Sequence, residues 1–400
     1  MASDVRFGVM GSMFPPIDDC LESMRRAEQA GWDFIDFADQ IQSTHPLGML
    51  RNPQPASDSS LPTSLWHDAW YGSMEMCAVA SVLTKETGIL LGVIDALRRS
   101  PAVMAQEMAT IAELSKGRAR FAVAAGEEKQ FAPYGEKRSK PFSRLDEAVR
   151  TWYALWNAGT DAVNRESEFW PLQDAVFPLS PTLEHKPGIL VVGGGEKVLR
   201  LAGEVADGWM TYLPGGVAND IDQLTETIET VKRFASDAGR NADELEFNAQ
   251  VILALGENDE VGWEYARHPN NGWLAITAAS IDSSNTWERL GYEHPFGKFT
   301  WSKDMRATLS NPDAVAELAR DVPEEMTDVS IVWGGPDRVA ERVQSFIDAG
   351  ITELSFFNMA ASIEPESGLQ WESLISQVMT KAGHAGLRTA GAPAGASAQR

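Results

Sequence analysis

A helix that hands over to a short buried strand is the feature that most limits what this chain can become, and its clearest copy runs from Arg98 to Glu127. Pro101 suits a first helical position, and Val103, Met104, Met108, Ile111 and Ala112 recur at helical spacing, which predicts one core-facing stripe. Lys116 and Gly117 suit the negative end and the left-handed exit of that helix. Ala119 to Ala125 is then an apolar run too short for a helix, and it reads as a strand closed by Gly126, Glu127 and Glu128. A small residue and two carboxylates thus stand at the carboxyl end of a buried strand, where α/β proteins usually place their chemistry.

The unit recurs. Strands are predicted at Val5 to Met10, Phe34 to Ala38, Ile89 to Ile94, Ala119 to Ala125, Ile189 to Val192, Gly208 to Tyr212, Phe247 to Leu255 and Glu353 to Phe357. Helices are predicted between them, among them Asp18 to Ala30, Met74 to Leu83, Phe142 to Trp156, Lys197 to Val205 and Pro336 to Ala349, with Leu369 to Lys381 closing the chain. Short apolar strands alternating with helices predict an α/β fold, a (β/α)₈ barrel of TIM type, over an open doubly wound sheet. The chain has 400 residues, beyond the ~250 of a plain barrel, and insertions after strands two, four and seven absorb the surplus. Residues 1–382 read as one catalytic barrel domain, and the Ala- and Gly-rich residues 383–400 as a flexible tail.

Composition narrows the partners. Lys and Arg number 34 against 57 Asp and Glu, a net charge of -23 that repels phosphate backbones and anionic surfaces. Nucleic acid is not an expected partner. Two cysteines, Cys20 and Cys77, make no disulfide framework and no CxxC pair, which fits a reducing cytoplasm. No window reaches the ~20 apolar residues of a membrane helix, and the amino terminus does not read as a secretory leader. The histidines form no HExxH and there is no G-x-S-x-G, which disfavours metal and acyl-enzyme chemistry.

In a barrel of this kind the residues after each strand share one rim, so Asp39-Gln40, Ile94-Asp95, Gly126-Glu127 and Gly193-Gly194-Gly195 come together despite their distance in sequence. Alone, each has a structural reading as a turn residue or a solvated charge. The glycine run lets backbone approach a ligand, and the helix after it offers unpaired N–H groups to an anion such as a cofactor phosphate. His45 and His67, in the long loop after strand two, are alternative proton donors, although loop histidines are more often solvated. Trp66 and Trp70, with Trp263, Trp273, Trp287 and Trp301 of the late insertion, are candidates to roof an apolar channel or to pack the insertions.

The ordered motifs R-R-S-P-A-V from Arg98, S-K-G-R from Ser115, G-E at Gly126, P-Y-G from Pro133, A-L-W-N from Ala154, R-E-S from Arg165 and E-H-P from Glu293 carry a resemblance. From Val5 to about Ala382 the chain resembles the luciferase-like superfamily, in its branch using the deazaflavin coenzyme F420, and most of all the phthiodiolone ketoreductases. The resemblance implies a bulged third strand with a non-proline cis peptide under the flat ring, placed at Val93-Ile94 or Ile94-Asp95. It also implies that Val192 and Gly193 to Gly195 seat the cofactor together with Asp39, Val93, Ile94, Asp95, Gly126 and Glu127. Asp39 and Gln40 would touch the cofactor or a substrate oxygen, and Glu127 would be the proton donor, its pKa raised if an apolar ring buries it. One departure stands out: the family's usual Asp-His is here Asp39-Gln40, and glutamine can hydrogen-bond an oxygen but cannot deliver a proton near neutrality. The implied activity is hydride transfer between reduced F420 and a bulky apolar substrate, a ketone first, with an enone, imine or nitro compound as variants. The alternatives are an FMN-dependent monooxygenase of the same superfamily and a non-catalytic deazaflavin-binding protein. A homodimer is implied by the same resemblance.

Overall fold

A computed structural model describes residues 5–46, 69–215, 221–279, 283–305, 312–364 and 367–388. Eight parallel strands close into a barrel: β1 (Arg6–Met10), β2 (Phe34–Phe37), β3 (Gly88–Asp95), β4 (Ala119–Ala124), β5 (Gly188–Val192), β6 (Gly208–Leu213), β7 (Glu246–Leu255) and β8 (Glu353–Asn358). Each pairs with its sequential neighbour, β8 returns to β1 with Phe7 opposite Leu354, and the ring is complete. Strands covered on both faces need continuous apolar runs rather than alternation. The β3 sequence GILLGVID is buried at every position but Val93.

The outer helices are α1 (Ile17–Ala30), α2 (Ser73–Leu83), α3 (Pro101–Leu114), α4 (Pro141–Trp156), α5 (Glu196–Glu204), α6 (Ile221–Asp237), α7 (Pro336–Asp348) and α8 (Ser367–Lys381). The exit of α3 is the one expected, with Lys116 at φ 54° and Gly117 at φ 79°. Its inward stripe needs one correction. Met104, Met108, Ile111 and Ala112 are buried, but Val103 is 48% exposed and lies with Val176 along an open groove on the outer wall of the barrel. The wall that covers α3 is α4, whose Trp152 and Trp156 indoles donate to the Pro101 and Ala105 carbonyls at 3.0 and 2.9 Å.

The excursions hold more structure than their sequences suggest. Between α4 and β5 a small antiparallel hairpin pairs Val163–Arg165 with Leu172–Ala175. The insertion after β7 runs on to Ser330 rather than stopping near residue 321, and Val332–Gly334 then adds a short strand beside the end of β7. Strands of three or four residues are too short to show a period. This insertion has a core of its own, in which Trp273, Ile276, Trp287, Phe299, Met305 and Met326 pack together. Trp273 and Trp287 therefore fill the insertion, and Trp263 packs against Trp333 at a tilt of 53° with ring centres 4.7 Å apart. Trp70 packs edge-on to Phe14, while Trp66 and His67 lie outside the described residues. Within the segment expected to be tail from Gly383, residues 384–388 are packed: the His384 ring stands edge-on to Phe7, and the Leu387 and Arg388 N–H groups bond Ser376 and Ala30.

Candidate active site

Beneath the rim, β2 carries a charged residue that the sequence reading passed over. Asp36 is fully buried, and its Oδ2 accepts from Gln250 Nε2 at 2.8 Å and from Ser355 Oγ at 2.7 Å. Gln250 Nε2 also donates to the Gly92 carbonyl at 2.7 Å, tying β7 and β2 to β3. Burial pushes the Asp36 carboxyl up to about 7, against the opposing pull of Gln250, Ser355 and the Gly92 backbone. The available signal was an aspartate inside FIDF, a strand otherwise wholly apolar.

The bulge of β3 lies directly beside this carboxylate. Gly92 pairs with Ala122 and Ile94 with Val123, so Val93 is the extra residue. The non-proline cis peptide is Gly92-Val93, one residue before the two positions expected. A side chain at 92 would put Cβ 2.9 Å from Asp36 Oδ1 and 3.0 Å from Met210 Cε, which explains the glycine. Of the three residues expected here, Val93 is half-buried and Ile94 buried. The Asp95 carboxylate serves the following turn, accepting from the Leu97 and Arg98 N–H groups at 2.9 and 2.8 Å and from Arg98 Nε.

On the rim, Asp39 is buried and fully engaged. Ser73 Oγ donates to it at 2.6 Å, Arg99 at 3.0 and 3.2 Å, and Arg98 bridges it to Asp95. Burial alone would raise the Asp39 carboxyl, but the Arg99 bonds and the charges of Arg98 and Arg99 outweigh it and hold the group below its usual range.

Gln40 meets a cluster from the segment after β4. Its Oε1 accepts from Lys129 Nζ at 2.5 Å and from Gln130 Nε2 at 2.5 Å. Lys129 is wholly buried, and its ammonium also donates to the Gln42 carbonyl at 3.2 Å and lies 5.8 Å from the Trp301 ring centre. Burial lowers the pKa of this ammonium, Glu127 opposes that, and the charge of Arg98 adds to the lowering. Glu127 Oε1 accepts from Trp301 Nε1 at 2.5 Å, while its buried Oε2 stands 3.2 Å from Lys129 Nζ as an ion pair without a well-angled hydrogen bond. Glu127 faces a cation and an indole donor. Trp301, from the late insertion, thus reaches the rim.

His45 is buried, not solvated. Its Nε2 lies 2.9 Å from the Asn270 carbonyl, which only accepts, so this nitrogen carries the proton. Burial lowers its pKa to about 4, the Asn270 carbonyl opposing and the Lys129 charge assisting. His45 joins the loop after β2 to the insertion and is no acid at neutral pH. Trp273 Nε1 makes a second joint by donating to the Thr44 carbonyl at 2.8 Å.

On the β5 side, Val192 ends the strand half-buried, and Gly193 turns at φ 138° with its carbonyl taken by Trp209 Nε1 at 2.8 Å. Gly194 follows, and Gly195 caps α5. A Cβ on Gly195 would meet nothing within 4 Å, so open space lies before the first N–H groups of the helix. Gly126 adopts φ 71° next to Phe131, and Arg138 Nε donates to its carbonyl at 2.7 Å.

These residues fit a phosphate-bearing flavin analogue. The bulge offers a narrow backbone seat, the capping glycine leaves room at a helix start, and the rim between them is lined with donors. Among the described residues no group of three His, Cys, Asp or Glu is placed to hold a metal, and no helix is long and apolar enough to cross a membrane.

A closed eight-stranded barrel with its polar machinery gathered at the carboxyl rim defines an α/β-barrel enzyme. The chain belongs to the luciferase-like monooxygenase family, whose sequence pattern fits residues 3–353, and it is an oxidoreductase. It is 29% identical over 360 residues to a phthiodiolone/phenolphthiodiolone dimycocerosates ketoreductase of Mycobacterium tuberculosis, covering 88% of this chain and 92% of that one. It is 27% identical over 337 residues to an F420-dependent glucose-6-phosphate dehydrogenase of Kineococcus radiotolerans, covering 83% and 84%. Among solved structures, an F420-dependent secondary alcohol dehydrogenase in complex with an F420-acetone adduct superposes with a TM-score of 0.66 at 20% identity, over 94% of this chain and 99% of that one.

Proposed function

We propose that this oxidoreductase binds F420 across the barrel rim and interconverts a bulky apolar ketone and its alcohol. The observation that carries the reading is the placement of a donor-rich cluster, Gln40, Lys129, Glu127 and Trp301, on the rim shared by the β3 bulge and the Gly193 to Gly195 turn. The names of the relatives support both the cofactor and a carbonyl substrate.

When bound, reduced F420 supplies a hydride. Gly193, Gly194 and Gly195, with the first N–H groups of α5, hold its phosphate-bearing tail. Val192, Val93, Ile94 and Gly126 shape the ring seat. Asp39 and Asp95 hold Arg98 and Arg99 in place beside it. Reducing a ketone adds a hydride to carbon and a proton to oxygen, and Glu127 is the residue assigned to the proton. Glu127, whose side chain stays partly exposed, regains its proton from solvent after each turnover, while Lys129 remains the ammonium that stands 3.2 Å from its Oε2. The homodimer belongs to the same proposal and is checked by light scattering.

The test is a fluorescence titration with oxidised F420 beside FMN under identical conditions. Micromolar or tighter binding of F420 without FMN binding is expected. Binding of FMN alone overturns the reading in favour of oxygen chemistry on a flavin.

A further inference from the structure

Gln40 stands where a histidine would have been a donor or an acceptor at will, and an amide must choose. Its choice is fixed by a chain of one-way bonds. The backbone N–H groups of Ile41 and Gln42 donate to Gln130 Oε1 at 3.0 and 3.3 Å, so the oxygen of Gln130 faces the backbone. The Nε2 of Gln130 must then face outward, and it donates to Gln40 Oε1 and to the Gln42 carbonyl at 3.0 Å. Lys129 enforces the same orientation independently, because an ammonium has no acceptor and lies 2.5 Å from Gln40 Oε1. Both ends of the amide are thereby decided. The oxygen of Gln40 is occupied by two donors, one of them charged, and its Nε2, on a half-buried side chain, has no acceptor among the described residues.

We propose that Gln40 Nε2 is a dedicated hydrogen-bond donor to the substrate oxygen, and that Lys129 and Gln130 are positioning residues that hold the amide in that sense. The inference rests on the ketone reading and deepens it. Two donors on Oε1 polarise the amide and strengthen donation from Nε2, the electrostatic aid that a carbonyl needs as negative charge grows on its oxygen. The arrangement also states a specificity. A substrate must bring a lone pair to this point, which admits ketones and rejects the unfunctionalised alkane of the same shape. A half-buried donor that turns from water to hydrocarbon loses a hydrogen bond and gains none in return.

The measurement is the infrared C=O band of 2-undecanone labelled with carbon-13 at the carbonyl, bound to the full chain with and without oxidised F420. A shift to lower wavenumber than in hydrocarbon solvent is expected. The shift should vanish in Gln40→Leu, shrink in Lys129→Met and recover in Lys129→Arg, which again offers only donors. Circular dichroism of each variant separates loss of fold from loss of the bond. An unshifted band, absence of ketone binding, or a shift that survives in Gln40→Leu overturns the inference. Oxidised F420 is titrated into the same samples by fluorescence. If F420 fails to bind, the functional reading falls, and the ketone band in the cofactor-free protein decides this inference by itself.

Discussion

Asp36 and Asp39 are three residues apart, both buried, and held in opposite ways. Asp36, in the barrel floor, receives only neutral donors, Gln250 and Ser355, and burial lifts its carboxyl to about 7. Asp39, on the rim, receives two guanidinium groups and is held below the usual carboxylate range despite its burial. The contrast teaches that depth alone does not set charge in this barrel. What decides it is whether a cation was built within bonding distance.

Breaking the rim side of the contrast should have the largest effect. Arg98→Met leaves two buried carboxylates short of their shared partner, and unfolding in urea at pH 7 should show a loss of about 3–5 kcal/mol. A change below 1 kcal/mol would mean that Arg99 and Ser73 suffice for Asp39. The floor should respond the other way. The folded pKa of Asp36 is raised, from 3.8 to about 7, so the native state holds this proton where the unfolded chain has lost it. Its stabilising effect is present below pH 4 and lost as pH rises through 7, on the order of 4 kcal/mol in all. Asp36→Asn should therefore be more stable than the parent at pH 8, and the gap should close toward pH 4 in parallel urea curves. His45 sharpens the comparison with the reverse sign. Its pKa is lowered from 6.5 to about 4, so its contribution is intact above 6.5 and fades as pH falls through 4, by about 3 kcal/mol. His45→Gln should flatten the acid limb of a melting-temperature profile between those values.

The barrel was legible because its signals are local. Apolar runs between a helix exit such as Gly117 and a rim residue such as Glu127 show in any window of a dozen residues, and the ring follows from their repetition. The rim was legible as a set of positions but not as a set of contacts. Lys129 and Gln130 sit in a stretch, Glu-Glu-Lys-Gln, that reads as a solvated turn, yet both are buried because Gln40 and the 41–42 backbone fold over them. Trp301 donates to Glu127 across 174 positions of sequence, and no periodicity spans that separation. The cis peptide was expected at Val93-Ile94 or Ile94-Asp95 and falls at Gly92-Val93, where Gly92 lies against the Asp36 carboxylate, a contact between strands that no local window shows.

The insertion after β7 gives the molecule a division of labour. It packs around its own tryptophans and, among the described residues, its joints to the barrel include the Asn270 carbonyl on His45, the Trp273 indole on Thr44, the Tyr212 hydroxyl on the Ala278 carbonyl and the Trp301 indole on Glu127. A segment built that way is a cassette. Its inner surface can be remodelled for a new guest while the barrel beneath keeps its register, provided that these joints are carried over unchanged.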